Sequence, residues 1–367
     1  MPTTPELPWA SRPALGEWAR RGMALDGSWE EAHDMTASEQ LRDMVNGFRI
    51  SQALHVAAVL GVSDLLADGP LDLESLARAA DADPESLRRL LRALAAVGVY
   101  VETDEGGYAN SELSEALRTG APGSVKGWAT LIGEPYFWGA WGNLLSGTRS
   151  GATPFTTLYG MDVWAYRAGD VTRTAVFDAA MTELATRMAA AVADAYDFPE
   201  RGLLVDIGGG HGALLAGVLA AYPSLSGVVF DLPHVVAGAT EVLANTPARE
   251  RIRLVAGDMF ESVPSRGDVY LLKSVLHDWP DEDCESILRV CRAAMSPSSA
   301  LLIVERLLAR PNEGSDTKFS DLNMFVMTGG RERSEAQFVQ LLERSGLRHR
   351  RTLDTTSPWS VVEAVVE

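Results

Sequence analysis

Val205-Asp206-Ile207-Gly208-Gly209-Gly210-His211-Gly212 continues the apolar run that begins at Leu203 and leads into the helical stretch Ala213–Ala221. Glycines at such a junction let the backbone turn sharply and come close to a ligand at the helix N-terminus. The turn alone admits three readings. Gly208-x-Gly210-x-x-Ala213 satisfies a dinucleotide fingerprint, with Asp231 about where a ribose-binding acid would follow. A methyl-donor site and a purely structural α/β turn fit the same residues.

Downstream, strand candidates recur at Gly227–Phe230, Ile252–Val255, Asp268–Leu272, Ala300–Glu305, Arg348–Leu353 and Trp359–Val365. Helical stretches are expected between the first five strands. That alternation predicts a doubly wound, mainly parallel sheet. The last two strands lie too close for a crossover helix, so they are expected to pair antiparallel.

Upstream the chain is helical. From Ser38, residues Leu41, Val45, Phe48 and Leu54 supply a broad apolar face, closed by Gly61. A short turn, Val62–Ala67, precedes the helix Leu73–Ala80. Another helix begins at Pro84, with Leu87, Leu91 and Leu94 on one side. Val99–Glu102 and Tyr108 then read as a hairpin, and three helices with a hairpin describe a winged helix. The organisation is a leader 1–37 carrying Trp9, Trp18 and Trp29 and expected to pack on a partner, a winged-helix domain 38–120, a helical connector 121–200, and a Rossmann-like domain 201–367.

A net charge of −18 speaks against a polyanion as ligand. A winged helix nevertheless raises a rival from another class, a DNA-binding regulator with a metabolite-sensing domain. Residues 38–118 carry seven Lys or Arg against fourteen Asp or Glu, so Arg88, Arg89 and Arg92 read as solvated arginines. No apolar run approaches the roughly 20 residues that span a bilayer. Met1–Ala10 lacks a basic and apolar signal pattern, so a cytoplasmic protein is expected. Cys284 and Cys291 read as small apolar helix positions in a reducing compartment.

Three features separate the readings of the glycine turn. Asp206 stands where its carboxylate meets a cationic amino group but would repel a pyrophosphate. Gly257-Asp258-Met259-Phe260 follows the third strand, where an acid accepts from an adenine amino group and Met259 lies against the ring. The fingerprint also begins past mid-chain, leaving just enough residues for one seven-stranded sheet. These favour S-adenosylmethionine over a nicotinamide dinucleotide.

Chemistry is expected where the fourth strand ends, in Leu272-Lys273-Ser274-Val275-Leu276-His277-Asp278-Trp279-Pro280-Asp281. His277 is the candidate general base; a loop histidine capping the next helix is the plainer alternative. Glu305 ends the fifth strand and Glu332 follows Gly329-Gly330, and a carboxylate on one imidazole nitrogen raises the basicity of the other. Glu332 lies in the charged run Arg331-Glu332-Arg333, where a surface acid is the simpler reading. His211 is expected to touch a donor carboxylate or face solvent, and His33, His55, His234 and His349 read as structural. No Cys/His cluster has zinc spacing, so no metal is expected.

These strings in order resemble the plant-type, caffeate-like O-methyltransferases and their bacterial relatives in secondary metabolism, over about residues 38–366. Val205–Gly212, Phe230-Asp231-Leu232-Pro233, Gly257–Phe260, Leu276–Asp281 and Gly329–Ser334 carry the resemblance. It implies a class I methyltransferase fold, a homodimer through the N-terminal domain, and a metal-free reaction. By resemblance Asp231 binds ribose hydroxyls, Asp258 and Met259 hold adenine, Gly208 approaches the donor, and Lys273 lies near its methionine portion. Gly210, Leu232 and Phe260 complete the donor site. His277 corresponds to the family base, with Glu305 and Glu332 beside it. The expected reaction methylates a phenolic hydroxyl of an aromatic small molecule and releases S-adenosylhomocysteine; N-methylation, decarboxylation or hydroxylation are the alternatives. Trp141, Phe155, Met181, Asp278, Met324 and Met327 are the expected pocket residues.

Overall fold

A computed structural model describes residues 36–367. The leader tryptophans and His33 lie outside the described residues. The chain divides into two compact units after Arg118.

In the first unit, the helix Ala37–Val59 starts at a reciprocal cap. Thr36 Oγ1 accepts from the Glu39 amide, and Glu39 accepts from the Thr36 amide at 2.8 Å. The segment after Gly61, expected as a turn, forms the short helix Val62–Leu65. Asp72 and Asp83 cap the helices Leu73–Ala79 and Pro84–Ala95. The hairpin is present, and a strand that sequence reading missed completes it. β1 (Leu71–Asp72) pairs antiparallel with β3 (Gly107–Asn110), which also pairs with β2 (Tyr100–Glu102). Leu76, Leu87, Leu91 and Leu94 are buried beneath, and Ser63 Oγ meets Tyr100 OH at 2.9 Å.

The second unit is built on seven strands. They are β4 (Gly202–Ile207), β5 (Leu225–Asp231), β6 (Ile252–Ala256), β7 (Val269–Lys273), β8 (Ala300–Glu305), β9 (Leu347–Asp354) and β10 (Ser360–Val366), in the order β6-β5-β4-β7-β8-β10-β9. Pairings from β6 to β8 are parallel; β10 pairs antiparallel with both β8 and β9. The chain contains a class I methyltransferase fold.

Alternate residues of each strand face opposite layers. Leu204, Val229, Leu271 and Leu302 pack with Met188 and Val192 of the helix Val171–Ala195. Val205, Val228, Leu272 and Ile303 pack with Ile287 and Leu288 of the helix Asp281–Ala294. The expected helix between the third and fourth strands is absent. Residues 257–268 cross from β6 to β7 without one, and Gly257-Asp258 opens a turn instead. The connector is a run of helices between Lys126 and Ala195, with its own aromatic core around Tyr136, Phe137 and Phe155.

Strand order reverses at β4, which has β5 on one side and β7 on the other. Loops leaving β4 and β7 therefore open a crevice at the carboxyl ends of adjacent strands.

Candidate active site

Gly208 adopts φ +65°, and a Cβ there would stand 2.9 Å from Val275 Cγ2. A side chain is therefore strained by backbone and by contact, and the glycine lets the loop after β4 lie against the loop after β7. Gly208 N–H donates to Phe230 O at 2.8 Å, and Gly210 N–H donates to Asp231 Oδ2 at 2.8 Å. Asp231 Oδ1 accepts from Leu232 N–H at 2.7 Å, so this acid braces the turn from the end of β5. Leu232 is exposed.

Asp206 lies beneath the turn, 1% exposed, and its Oδ2 has no hydrogen-bond partner among the described residues. Burial pushes its carboxyl up to about 7 against the pull of Lys273. Burial likewise lowers the Lys273 ammonium, opposed by Asp206 and then Glu305. A buried carboxylate oxygen left without a donor is costly unless a cation completes it. A Cβ on Gly210 would meet nothing within 4 Å. The orphaned oxygen and the open turn fit the amino-acid end of S-adenosylmethionine. Asp258 Oδ1 accepts from Phe260 N–H at 2.8 Å, with Met259 and Phe260 half-buried beside it.

His277 lies on a single 3-10 turn, Leu276–Asp278. Ser274 precedes it at φ +52°, a left-handed conformation that is strained for a residue with a Cβ. Glu305, at the end of β8 and fully buried, secures this turn. Its Oε1 accepts from the amides of Val275 and Leu276 at 3.1 Å and of His277 at 3.3 Å, while Oε2 lies 3.4 Å from His277 Nδ1. Nδ1 also donates to Glu332 Oε1 at 3.1 Å. Nε2 makes no hydrogen bond among the described residues and lies 4.0 Å from Asp278 Oδ2.

Burial lowers the proton affinity of the His277 ring. Glu305 above all, with Asp278 and Glu332, outweighs it and carries the ring up to about 10. Burial raises Glu305, opposed by His277, and raises Asp278 to about 6, opposed by His277 and Arg167. Burial acts to raise Glu332 too, but its bond to His277 holds the carboxyl below the usual range. His277, Glu305 and Glu332 each offer a ligand atom within 4.8 Å of the others, a spacing that a divalent cation also accepts.

Glu332, expected more simply as a surface acid, is 1% exposed. Ser320 Oγ donates to its Oε1 at 2.7 Å. The signal was Gly329-Gly330: a Cβ on Gly330 would collide with the His277 and Asp278 backbone, so only glycine lets the two segments touch. Sequence reading missed Arg333 altogether. It is buried and donates to Leu276 O at 2.8 Å, Trp279 O at 2.9 Å and Asp281 Oδ1 at 2.8 Å, bracketing the His277 turn. His211 is largely withdrawn from solvent. Its Nε2 pairs with Asp178 Oδ2 at 3.3 Å, tying the glycine turn to the helix Val171–Ala195.

The acceptor-side residues divide. Trp141, Met181, Met324 and Asp278 keep exposed surface, and Trp141 Nε1 donates to Asn323 Oδ1 at 3.0 Å. Phe155 and Met327 are buried in the connector core, where Phe155 packs on Tyr159 and Tyr166.

The O-methyltransferase domain family matches residues 141–348, more than half of the chain, and the O-methyltransferase dimerisation domain matches residues 42–120. The chain belongs to the O-methyltransferase family. This O-methyltransferase is 39% identical to phenazine O-methyltransferase of Lysobacter antibioticus, over 89% of this chain and 96% of that one. It is 40% identical to the mitomycin biosynthesis 6-O-methyltransferase of Streptomyces lavendulae, over 89% and 94%. The crystal structure of human N-acetylserotonin methyltransferase in complex with S-adenosylmethionine superposes with a TM-score of 0.84 at 30% identity, covering 92% of this chain and 99% of that one. S-adenosylmethionine is the methyl donor of this O-methyltransferase. Among the described residues, no helix is long and apolar enough to cross a membrane.

Proposed function

We propose that the enzyme methylates a phenolic hydroxyl of an aromatic small molecule, with His277 as general base, as a cytoplasmic homodimer that needs no metal and binds no nucleic acid. The observation that carries this reading is the division of the His277 ring. Nδ1 is engaged by Glu332 and Glu305, while Nε2 is left without a hydrogen bond beside Asp278.

S-adenosylmethionine, when bound, supplies an electrophilic methyl group on a positively charged sulfur. Asp206 receives the donor's amino group, and Asp231 and Asp258 take the ribose and adenine ends. Neutral His277 accepts the phenol proton at Nε2. The proton affinity that its acids confer, about 10, matches a phenol of tyrosine-like pKa near 10. Glu305 and Arg333 hold the base-bearing turn and so fix where Nε2 would meet the acceptor hydroxyl. Such alignment contributes roughly 7–11 kcal/mol in well-oriented reactions.

The metal-free reading is supported by Glu305 Oε1, which takes three backbone amides, and by Nδ1, which faces both acids. The dimer is supported by Leu41, Met44, Val45 and Phe48, spaced along one face of the helix Ala37–Val59 and exposed in the single chain. Its acidic balance disfavours nucleic acid. The test is calorimetric titration with S-adenosylhomocysteine followed by a panel of phenols with S-adenosylmethionine. Donor binding with O-methylated phenol products is the expected result; methyl transfer to amines alone overturns the acceptor assignment.

A further inference from the structure

Arg167 is a buried cation for which the mechanism above has no use. It lies on the helix Val163–Ala168 at 6% exposure. Its guanidinium stands 3.9 Å from the Phe177 ring centre, 5.4 Å from Trp164 and 5.6 Å from Tyr136. Cation–π contact of this kind consumes none of the N–H donors. Only Nε is engaged, donating to Tyr136 OH at 3.2 Å. Among the described residues, neither Nη has a hydrogen bond, and no carboxylate lies within 4.0 Å of the group. A buried charge is costly without a close counter-ion, so its two Nη groups are donors available to an anionic group.

Aromatic rings link the guanidinium to the His277 turn. Trp164, on which it lies, stacks on Trp279 with ring centres 6.5 Å apart and planes inclined by 22°. Trp279 follows His277 and Asp278 and packs edge-on against Phe260 of the expected adenine site, at 4.9 Å. Asp278 feels the Arg167 charge, but its nearest cation is His277, at 4.0 Å. An aromatic plate thus runs from Phe260 through Trp279 and Trp164 to a cation whose two Nη groups make no hydrogen bond among the described residues.

We infer that the acceptor is an aromatic acid, a phenol whose ring bears a carboxylate, and that Arg167 grips this carboxylate through its two Nη groups while the hydroxyl faces His277. This rests on the reading of the enzyme as a phenol O-methyltransferase and adds the acidic substituent to it. A guanidinium fork matches two carboxylate oxygens, and charge-assisted bonds in a water-poor site are strong enough to select the acid over an uncharged isostere. Arg167 is then a specificity-determining residue and takes no part in proton transfer.

The experiment compares hydroxynaphthoic acids with their methyl esters as acceptors, for the wild type and for Arg167→Leu and Arg167→Lys, with S-adenosylhomocysteine affinity measured alongside. The wild type should prefer the acid at least tenfold in kcat/KM. Arg167→Leu should reduce that acid-over-ester ratio about 10- to 100-fold, mainly through KM, with donor-site affinity retained. Arg167→Lys should recover part of it, since it keeps the charge and loses the fork. Equal losses for acid and ester would assign Arg167 to supporting Asp278 and overturn the inference. Should the leucine variant fail to fold, a wild type that methylates esters as well as acids overturns it alone. Phenol methylation without acid preference leaves the functional reading intact; no methylation of any phenol overturns both.

Discussion

Glu332 Oε1 and His277 Nδ1 lie 3.1 Å apart although 55 residues separate them in the chain. The contact sets the tautomer. With Nδ1–H donated to a carboxylate, Nε2 is the nitrogen left to accept a proton. It also makes the ring a stronger base than free histidine, with consequences for pH dependence.

The base must be neutral to work, and its folded-state pKa is raised from 6.5 to about 10. kcat/KM should therefore keep rising with pH above 7 instead of levelling off near 6.5. Glu332→Gln removes a negative neighbour and should move that rise to lower pH while reducing the limiting rate. A pH–rate profile of both proteins checks this. In stability the sign is opposite: the favourable contribution of protonated His277 is fully present below pH 6.5 and is lost as pH rises through about 10.

His277→Gln should lower turnover at least about 100-fold, the lower end of what a positioned base contributes. Affinity for S-adenosylhomocysteine should change little, because the ring lies on the acceptor side of the cleft. Single-turnover rates with calorimetry separate the two effects, and wild-type turnover would remove His277 from the mechanism.

Arg333→Met should act on the base without touching it. Deleting the guanidinium removes its hydrogen bonds to Leu276 O, Trp279 O and Asp281, at a cost of about 1–3 kcal/mol to the fold. The expected outcome is a lower Tm and a lower kcat at nearly unchanged donor affinity. Arg333→Lys should restore little, since an ammonium does not span both carbonyls and Asp281 as a planar fork does.

Asp206→Asn should separate stability from binding. The folded-state pKa of Asp206 is raised by burial from 3.8 to about 7, so its favourable contribution is present below pH 3.8 and is lost as pH rises through about 7. At pH 8 the variant should melt at a higher temperature than the wild type, yet bind S-adenosylhomocysteine about tenfold or more weakly. Thermal melts and titrations at the same pH test both halves.

EDTA at millimolar concentration should leave turnover unchanged, and added zinc should inhibit by occupying His277, Glu305 and Glu332. A loss of activity to the chelator, restored by a divalent ion, would sink the metal-free reading.

The architecture was legible in the sequence because its signals are local. An apolar strand running into Gly208–Gly212, and a second ending at Lys273 before His277, mark the carboxyl ends of two strands whatever happens elsewhere. Strand and helix periods, Pro84 at a helix start and Gly61 as a stop are likewise set by neighbours a few residues away. What only the tertiary structure decided were the partnerships between distant segments. Resemblance alone sets Glu332 beside His277, and Arg333 has no role in the sequence reading, because nothing local announces that Gly330 presses against the His277 backbone and carries both inward. Phe155 and Trp141 look alike as aromatic connector residues, and only close packing buries one and leaves the other partly exposed. Periodicity says which way a side chain faces on its own element; what it meets there depends on chain path and on how neighbouring layers fill space.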